Sequence, residues 1–93
     1  MESKSPQVEH AIAVQRFELQ AGGSTAVAEY QRENGRVVFT HTFVPPEMRG
    51  KGLAESLVRT ALAWARAEKL KVVPQCSYVA RFIQHHAEYS DLL

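Results

Sequence analysis

Apolar and polar residues alternate from Val14 to Leu19, with Phe17 and Leu19 on one face, and this predicts a strand. Ala21-Gly22-Gly23-Ser24 is a turn cluster. Alternation resumes from Thr25 to Arg32, which places Ala26, Ala28 and Tyr30 on a common side. Asn34-Gly35 then marks a hairpin, because both residues tolerate the positive φ of a type I′ turn. A third strand is expected from Arg36 to Val44, with Val37, Phe39, His41 and Phe43 sharing a face, and Pro45-Pro46 ends it. The period then changes. Leu53, Leu57, Val58, Ala61, Leu62 and Ala65 follow helical spacing, and the helix should end near Glu68 or Lys69. Glu55 and Arg59 stand four apart on its other side, in the favourable order for an ion pair. Leu70 to Val73 is short and apolar, expected as a buried strand parallel to the third, closed by Pro74. Tyr78, Val79, Phe82, Ile83 and His86 predict a second amphipathic helix. The pattern is α+β: an antiparallel meander joined to a strand–helix–strand unit and a C-terminal helix.

The chain has 93 residues, room for one domain and one core. Residues 1–10 are expected to be a loose leader, the opening stretch being polar and containing Pro6. So small a core leaves little stability in reserve, and a monomer or weak homodimer is expected. The net charge is +1 with acids and bases interspersed, which lacks the basic face that nucleic-acid binding requires. No apolar run reaches the length of a membrane span, since the most apolar helical stretch stops at Arg66. One cysteine, Cys76, excludes an internal disulfide, and the opening residues do not form a signal peptide. A cytoplasmic location is the expectation.

Chemistry concentrates at the junction of third strand and first helix: Val44-Pro45-Pro46-Glu47-Met48-Arg49-Gly50-Lys51-Gly52-Leu53-Ala54. A glycine-rich turn that opens a helix presents converging N–H groups and the positive end of the helix dipole, which suits a phosphate or pyrophosphate. Gly50 and Gly52 allow close approach of the backbone, while Arg49 and Lys51 can add charge-assisted contacts. A Walker loop would need four residues between its first Gly and Gly-Lys, followed by Ser or Thr, and the segment lacks them. The dinucleotide fingerprint fails too, with Glu55 at its third glycine position.

Arg49, Gly52 and Ala54 match the pattern Arg/Gln-x-x-Gly-x-Gly/Ala, and the segment resembles the pyrophosphate-binding motif of the GNAT N-acetyltransferases. Three stretches are similar to the short stand-alone branch of that family: His41-Thr42 through Ala54, then Val72-Val73-Pro74 with Cys76, then the ending with His86, Glu88 and Tyr89. The similarity covers roughly the last two-thirds of the chain. The resemblance implies a GNAT-like fold binding acetyl-CoA through Val44, Met48, Arg49, Gly50, Lys51, Gly52, Leu53 and Ala54, and transferring its acetyl group to an amine. It also implies that the third strand and the Leu70–Val73 strand splay apart around the pantetheine arm. The chain departs from the branch at Phe43, where an acid is common, and at Ala87, where a proline is common. No carboxylate base is therefore expected on that strand.

Transfer requires a neutral amine, donors for the tetrahedral oxyanion and a proton for the departing thiolate. Cys76, at the start of the second helix, could accept the acetyl group, protonate the leaving sulfur, or be a buried small hydrophobe. His41 is either the base or a histidine on a core-facing stripe. Tyr78 is either an acid or part of the Val79, Phe82 and Ile83 stripe. His85-His86 with Cys76 lacks metal-ligand spacing, so no metal is expected. Two other functions stay open: a non-catalytic acyl-CoA-binding or sensing module, and an interaction domain with an empty turn. The acceptor amine, a protein lysine, an N-terminus or a polyamine, is not specified by the residues.

Overall fold

The computed structural model describes residues 7–93. In chain order its elements are β1 (Val8–Ala11), β2 (Arg16–Ala21), β3 (Ser24–Glu33), β4 (Arg36–Phe43), α1 (Leu53–Ala67), β5 (Lys71–Pro74) and α2 (Ser77–Gln84). Short 3-10 turns occur at Ile12–Val14, Pro46–Met48 and Ala87–Leu92. The strands form one sheet in sequence order; β1 to β4 are antiparallel, and β5 adds parallel to β4. This is the α+β arrangement that the alternation predicted.

Alternation sends Phe17, Leu19, Ala26, Ala28 and Tyr30 to the face that α1 covers, all of them buried. Trp64 of α1 stands 4.9 Å from the Tyr30 ring and 5.6 Å from that of Phe17. Leu57, Val58, Ala61, Leu62 and Ala65 complete the α1 side. Val79, Phe82 and Ile83 of α2 join the same cluster, and the Arg59 guanidinium of α1 lies 5.5 Å from the Phe82 ring. Both helices therefore pack on one face of the sheet.

Four expectations are corrected. The leader does not extend to residue 10: Val8–Ala11 pairs with β2 as an edge strand, while residues 1–6 lie outside the described residues. His10 aligns with Phe17 and stacks on its ring at 4.0 Å, so burial comes from a histidine rather than from an apolar pattern. Val14 is not in a strand, since Gln15 adopts φ 54° and β2 begins at Arg16. The β3–β4 hairpin forms at Asn34-Gly35, yet only Gly35 has positive φ, at 72°, which excludes type I′. The Gly35 carbonyl instead accepts the Lys71 N–H, which carries the turn into the β5 ladder. Leu70 is not in β5. With Lys69 at φ 59°, its N–H reaches the Ala65 carbonyl while that of Lys69 reaches Arg66, and this Schellman motif ends α1.

One irregularity positions the site. In the β3–β4 register Tyr30 faces Phe39, but Glu29 faces His41, so Thr40 is an extra residue in β4. Beyond this bulge the faces exchange. Thr42 aligns with Ala28 on the helix side, whereas His41 and Phe43 align with Glu29 and Val27 on the opposite side. The expectation that Phe39, His41 and Phe43 share a face therefore fails at the bulge.

Candidate functional site

Pro45 and Pro46 cannot extend the ladder, and the Pro46–Met48 turn swings the chain from β4 toward α1. Met48, buried to 2% exposure, anchors this crossing. Arg49 folds back so that its Nε donates to the Val44 carbonyl at 2.8 Å, tying the turn to the strand exit. Gly50 and Gly52 follow at φ 77° and 74°, and a Cβ at either would meet nothing within 4 Å. Glycine is required here for left-handed backbone, and the space beside it is open. Gly52 is the N-cap of α1 and no side chain caps it. Ser56 closes the first helical bond, to the Gly52 carbonyl at 3.2 Å. The N–H groups of Gly52, Leu53, Ala54 and Glu55 consequently have no intrahelical acceptor.

These donors border a cleft of about 430 Å³ between the end of β4 and the start of α1. Val44, Met48, Arg49, Gly50, Gly52, Leu53 and Ala54 all line it. Lys51 does not; it lines a separate hollow with Gly22, Glu47 and Met48. The eighth residue of the predicted binding set thus points to the other side of the turn. Thr42, Phe43, Glu55 and Tyr78 complete the wall. The Glu55 carboxylate accepts two bonds from Arg59, at 2.9 and 3.1 Å, so its charge is matched from within α1.

The pairing of β4 with β5 covers the whole of β5 and ends at Phe39 with Pro74, so the two strands stay paired where the resemblance implied a splay, and β4 alone runs on to Phe43. Cys76 follows the end of β5 as the N-cap of α2, with its N–H donating to the Phe39 carbonyl at 2.9 Å. Its Sγ lies 3.3 Å from Thr42 Oγ1, and Thr42 is the residue that the bulge turned toward the helices. Burial pushes the Cys76 thiol up, but hydrogen bonds from the Thr42 hydroxyl and from the N–H groups of Val79 and Tyr78 outweigh it, leaving the thiol below its ordinary value. Cys76 does not line the cleft itself and adjoins it through Thr42.

Of the two alternatives for Tyr78, the core stripe is not the one observed. It is 38% exposed and lines the cleft instead of joining the Val79, Phe82 and Ile83 stripe. Burial, then the Glu55 charge, raises its phenol above the usual range and keeps it protonated. The sequence carried the signal: residues 79, 82 and 83 repeat at helical spacing and Tyr78 stands one position off that stripe. His41 is exposed, on the sheet face turned away from the helices, and is absent from the cleft lining. Among the described residues no group of three His, Cys, Asp or Glu side chains gathers as a metal site.

Comparison with known proteins agrees with this geometry. Residues 16–92 match the GCN5-related N-acetyl-transferase family. The chain is 32% identical over 83 residues to Protein NATD1 of Gallus gallus, an alignment covering 86% of this chain and 76% of that protein. Protein NATD1 of Homo sapiens is also 32% identical, over 85% of this chain and 73% of its own length. A GCN5-like protein of Staphylococcus aureus, solved in solution by NMR, superposes with a TM-score of 0.74 at 21% identity, over 92% of this chain and 85% of that one. A mixed sheet with a glycine turn opening the helix after its fourth strand defines a small GNAT-like acyltransferase fold. The chain belongs to the GCN5-related N-acetyltransferase family.

Proposed function

We propose that the chain binds acetyl-CoA at the Arg49–Ala54 turn and transfers the acetyl group to an amine. One observation carries the reading: uncapped N–H groups of α1 and the open side of Gly50 and Gly52 face a cleft that runs to Thr42, against which Cys76 is held. The residues fit the cofactor. Gly52, Leu53, Ala54 and Glu55 offer N–H donors to a pyrophosphate, Arg49 adds a cation, and Val44 and Met48 give an apolar wall. When bound, acetyl-CoA supplies a thioester carbonyl carbon.

β4 runs on to Phe43 past the end of β5, and its backbone N–H groups there are the proposed donors to the oxyanion. In the transfer, the amine nitrogen forms a bond to the carbonyl carbon and the C–S bond breaks. The nitrogen sheds one proton to solvent, and the departing sulfur takes one. Cys76 and Tyr78 are the proposed sources of that proton; Tyr78 lines the cleft wall and Cys76 sits beside Thr42. Direct attack by the amine is preferred to an acetyl-Cys76 intermediate. His41 does not line the cleft and has no part in this scheme. A chain of this size leaves few side chains for an acceptor pocket, which favours an exposed acceptor such as a protein lysine, an N-terminus or a polyamine. The chain acts as one domain in the cytoplasm, as a monomer or weak homodimer.

A non-catalytic acyl-CoA-binding module is supported by a single observation. The one carboxylate in the cleft wall, Glu55, is engaged by Arg59, and Phe43 stands where a base could have been. Calorimetric titration with acetyl-CoA, with ATP and NAD as controls, should give micromolar binding of acetyl-CoA alone. Release of CoA with lysine peptides or polyamines should then fall by about a hundredfold in Tyr78→Phe or Cys76→Ala, whichever residue protonates the sulfur. Binding without CoA release would select the non-catalytic module, and no binding would refute both.

A further inference from the structure

The glycine turn is a thin segment between two spaces. The cleft lies on one side, and on the other is the hollow of about 370 Å³ that Ala21, Gly22, Glu47, Met48, Lys51 and Leu53 line. Since a Cβ at Gly50 or Gly52 would meet no atom within 4 Å, side-chain packing does little to hold the backbone there. Its position must be set from its ends. One end is the bond from Arg49 to the Val44 carbonyl, beside the buried Met48.

The other comes from the β2–β3 hairpin. Ser24 pairs with Ala21 across Gly22-Gly23, whose φ values of 58° and 83° suit a tight two-residue turn. It opens β3 in step with Ala26, Ala28 and Tyr30, and so lies on the helix side of the sheet. From there its hydroxyl donates to the Glu47 carboxylate on the Pro46–Met48 turn. Among the described residues this is the one hydrogen bond between the hairpin and residues 46–52.

Glu47 has a charge that needs explaining. A carboxylate three positions before Gly50 opposes any anion held by the N–H groups of the turn. Yet Glu47 lines the hollow and is absent from the cleft wall. The Ser24 bond foremost, with the Arg49 and Lys51 charges acting the same way, holds its carboxyl below the ordinary range, so it is ionised at neutral pH. Lys51 thus sets its charge beside Glu47 on the hollow side of the turn.

We propose that Ser24 and Glu47 are positioning residues for the glycine turn, their bond fixing the N–H donors that open α1 and keeping the Glu47 charge out of the cleft. The role rests on acetyl-CoA binding at that turn. It predicts a sign that charge alone does not. Removing a carboxylate near an anion site should tighten binding if only its charge matters, whereas removing a positioning group should weaken it.

Calorimetric titration of the full chain with acetyl-CoA, beside thermal melts, separates the two. Ser24→Ala should weaken binding about fivefold, and Ser24→Thr, which keeps the hydroxyl, should restore it. Glu47→Ala should also bind more weakly despite losing a negative charge. Glu47→Gln, whose amide oxygen still accepts from Ser24, should bind at least as tightly as wild type. Tm should fall by about 3 °C at most in each, because the bond is exposed. In the free chain, amide hydrogen exchange at Gly50, Lys51 and Gly52 should quicken several-fold in Ser24→Ala while the interior of α1 is unchanged. Wild-type affinity in Ser24→Ala, tighter binding in Glu47→Ala, or unaltered exchange at the turn would each overturn the tie while leaving the turn as the acetyl-CoA site. Failure of the wild type to bind would overturn the acetyl-CoA reading and the role of the tie with it.

Discussion

Cys76 illustrates how little sequence distance says about a residue's chemistry. Thr42 precedes it by 34 positions, yet its hydroxyl is the side chain that steadies the sulfur. Burial alone would keep the thiol protonated, whereas the Thr42 hydroxyl and the first N–H groups of α2 favour the thiolate. The thiolate can use Thr42 only as a donor, so removing the hydroxyl should push the Cys76 titration upward. Thr42→Val should therefore move the pH profile of iodoacetamide labelling to higher pH, and Thr42→Ser should restore it. A profile unchanged in Thr42→Val would mean that the helix N–H groups alone set the thiol. The pairing exists because Thr40 is an extra residue in β4; without that bulge Thr42 would face the other side of the sheet.

At the scale of elements, the proposed phosphate site rests on the turn before α1. Gly52 sits at φ 74° with open space where a Cβ would be, so a substitution acts through backbone conformation and through the ligand, with no clash in the protein. Gly52→Val should cost about 1–2 kcal/mol for a left-handed β-branched residue and lower Tm by roughly 5–10 °C. Acetyl-CoA binding should disappear beyond what that loss of stability explains. Gly52→Ala, folded but destabilised by about 1 kcal/mol by the same left-handed backbone, should weaken binding less. A Gly52→Val protein that binds acetyl-CoA normally would remove the turn from the site. The turn itself was legible because its residues are contiguous: seven of the eight positions line the cleft, while Lys51 lines the hollow on the other side, since a turn directs successive side chains to different sides. The meander, α1 and the buried faces of β2 and β3 were legible for a similar reason, since alternation and helical spacing are local. Less legible was whatever depends on a distant partner. β1 carries Glu9 and His10 and becomes a strand only by pairing with β2. The β4 bulge leaves no mark in a period-2 pattern and misplaced His41. Tyr78 could have been found from its offset to the α2 stripe.

Across the whole molecule, one sheet face carries both helices, and the C-terminal turn closes the edge of that layer. Leu92 is buried at 5% exposure in the common core, next to the chain end. Asp91 bonds Arg66 of α1 at 2.6 Å, its backbone carbonyl accepts from Lys71 of β5 at 3.1 Å, and the Glu88 carbonyl accepts from Arg66 at 2.9 Å. The turn thus joins α1 to β5, the strand that leads into Cys76 and α2. Leu92→Ala should cost about 2–3 kcal/mol and lower Tm by some 10 °C, a large share of the stability of so small a chain. The ion pair should contribute far less, being exposed at both ends. Its pH dependence nevertheless has a definite direction. Arg66 holds the Asp91 carboxyl below its ordinary value, so the stabilisation is fully present above the unfolded pKa and lost as pH falls through the lower folded one. Asp91→Asn should therefore melt slightly below wild type near neutrality, and the two curves of Tm against pH should converge in acid. A gap that persists at the lowest pH would assign the effect of Asp91 to the geometry of the turn instead of its charge. Leu92→Ala, which removes no charge, should run parallel to wild type through the same acid range.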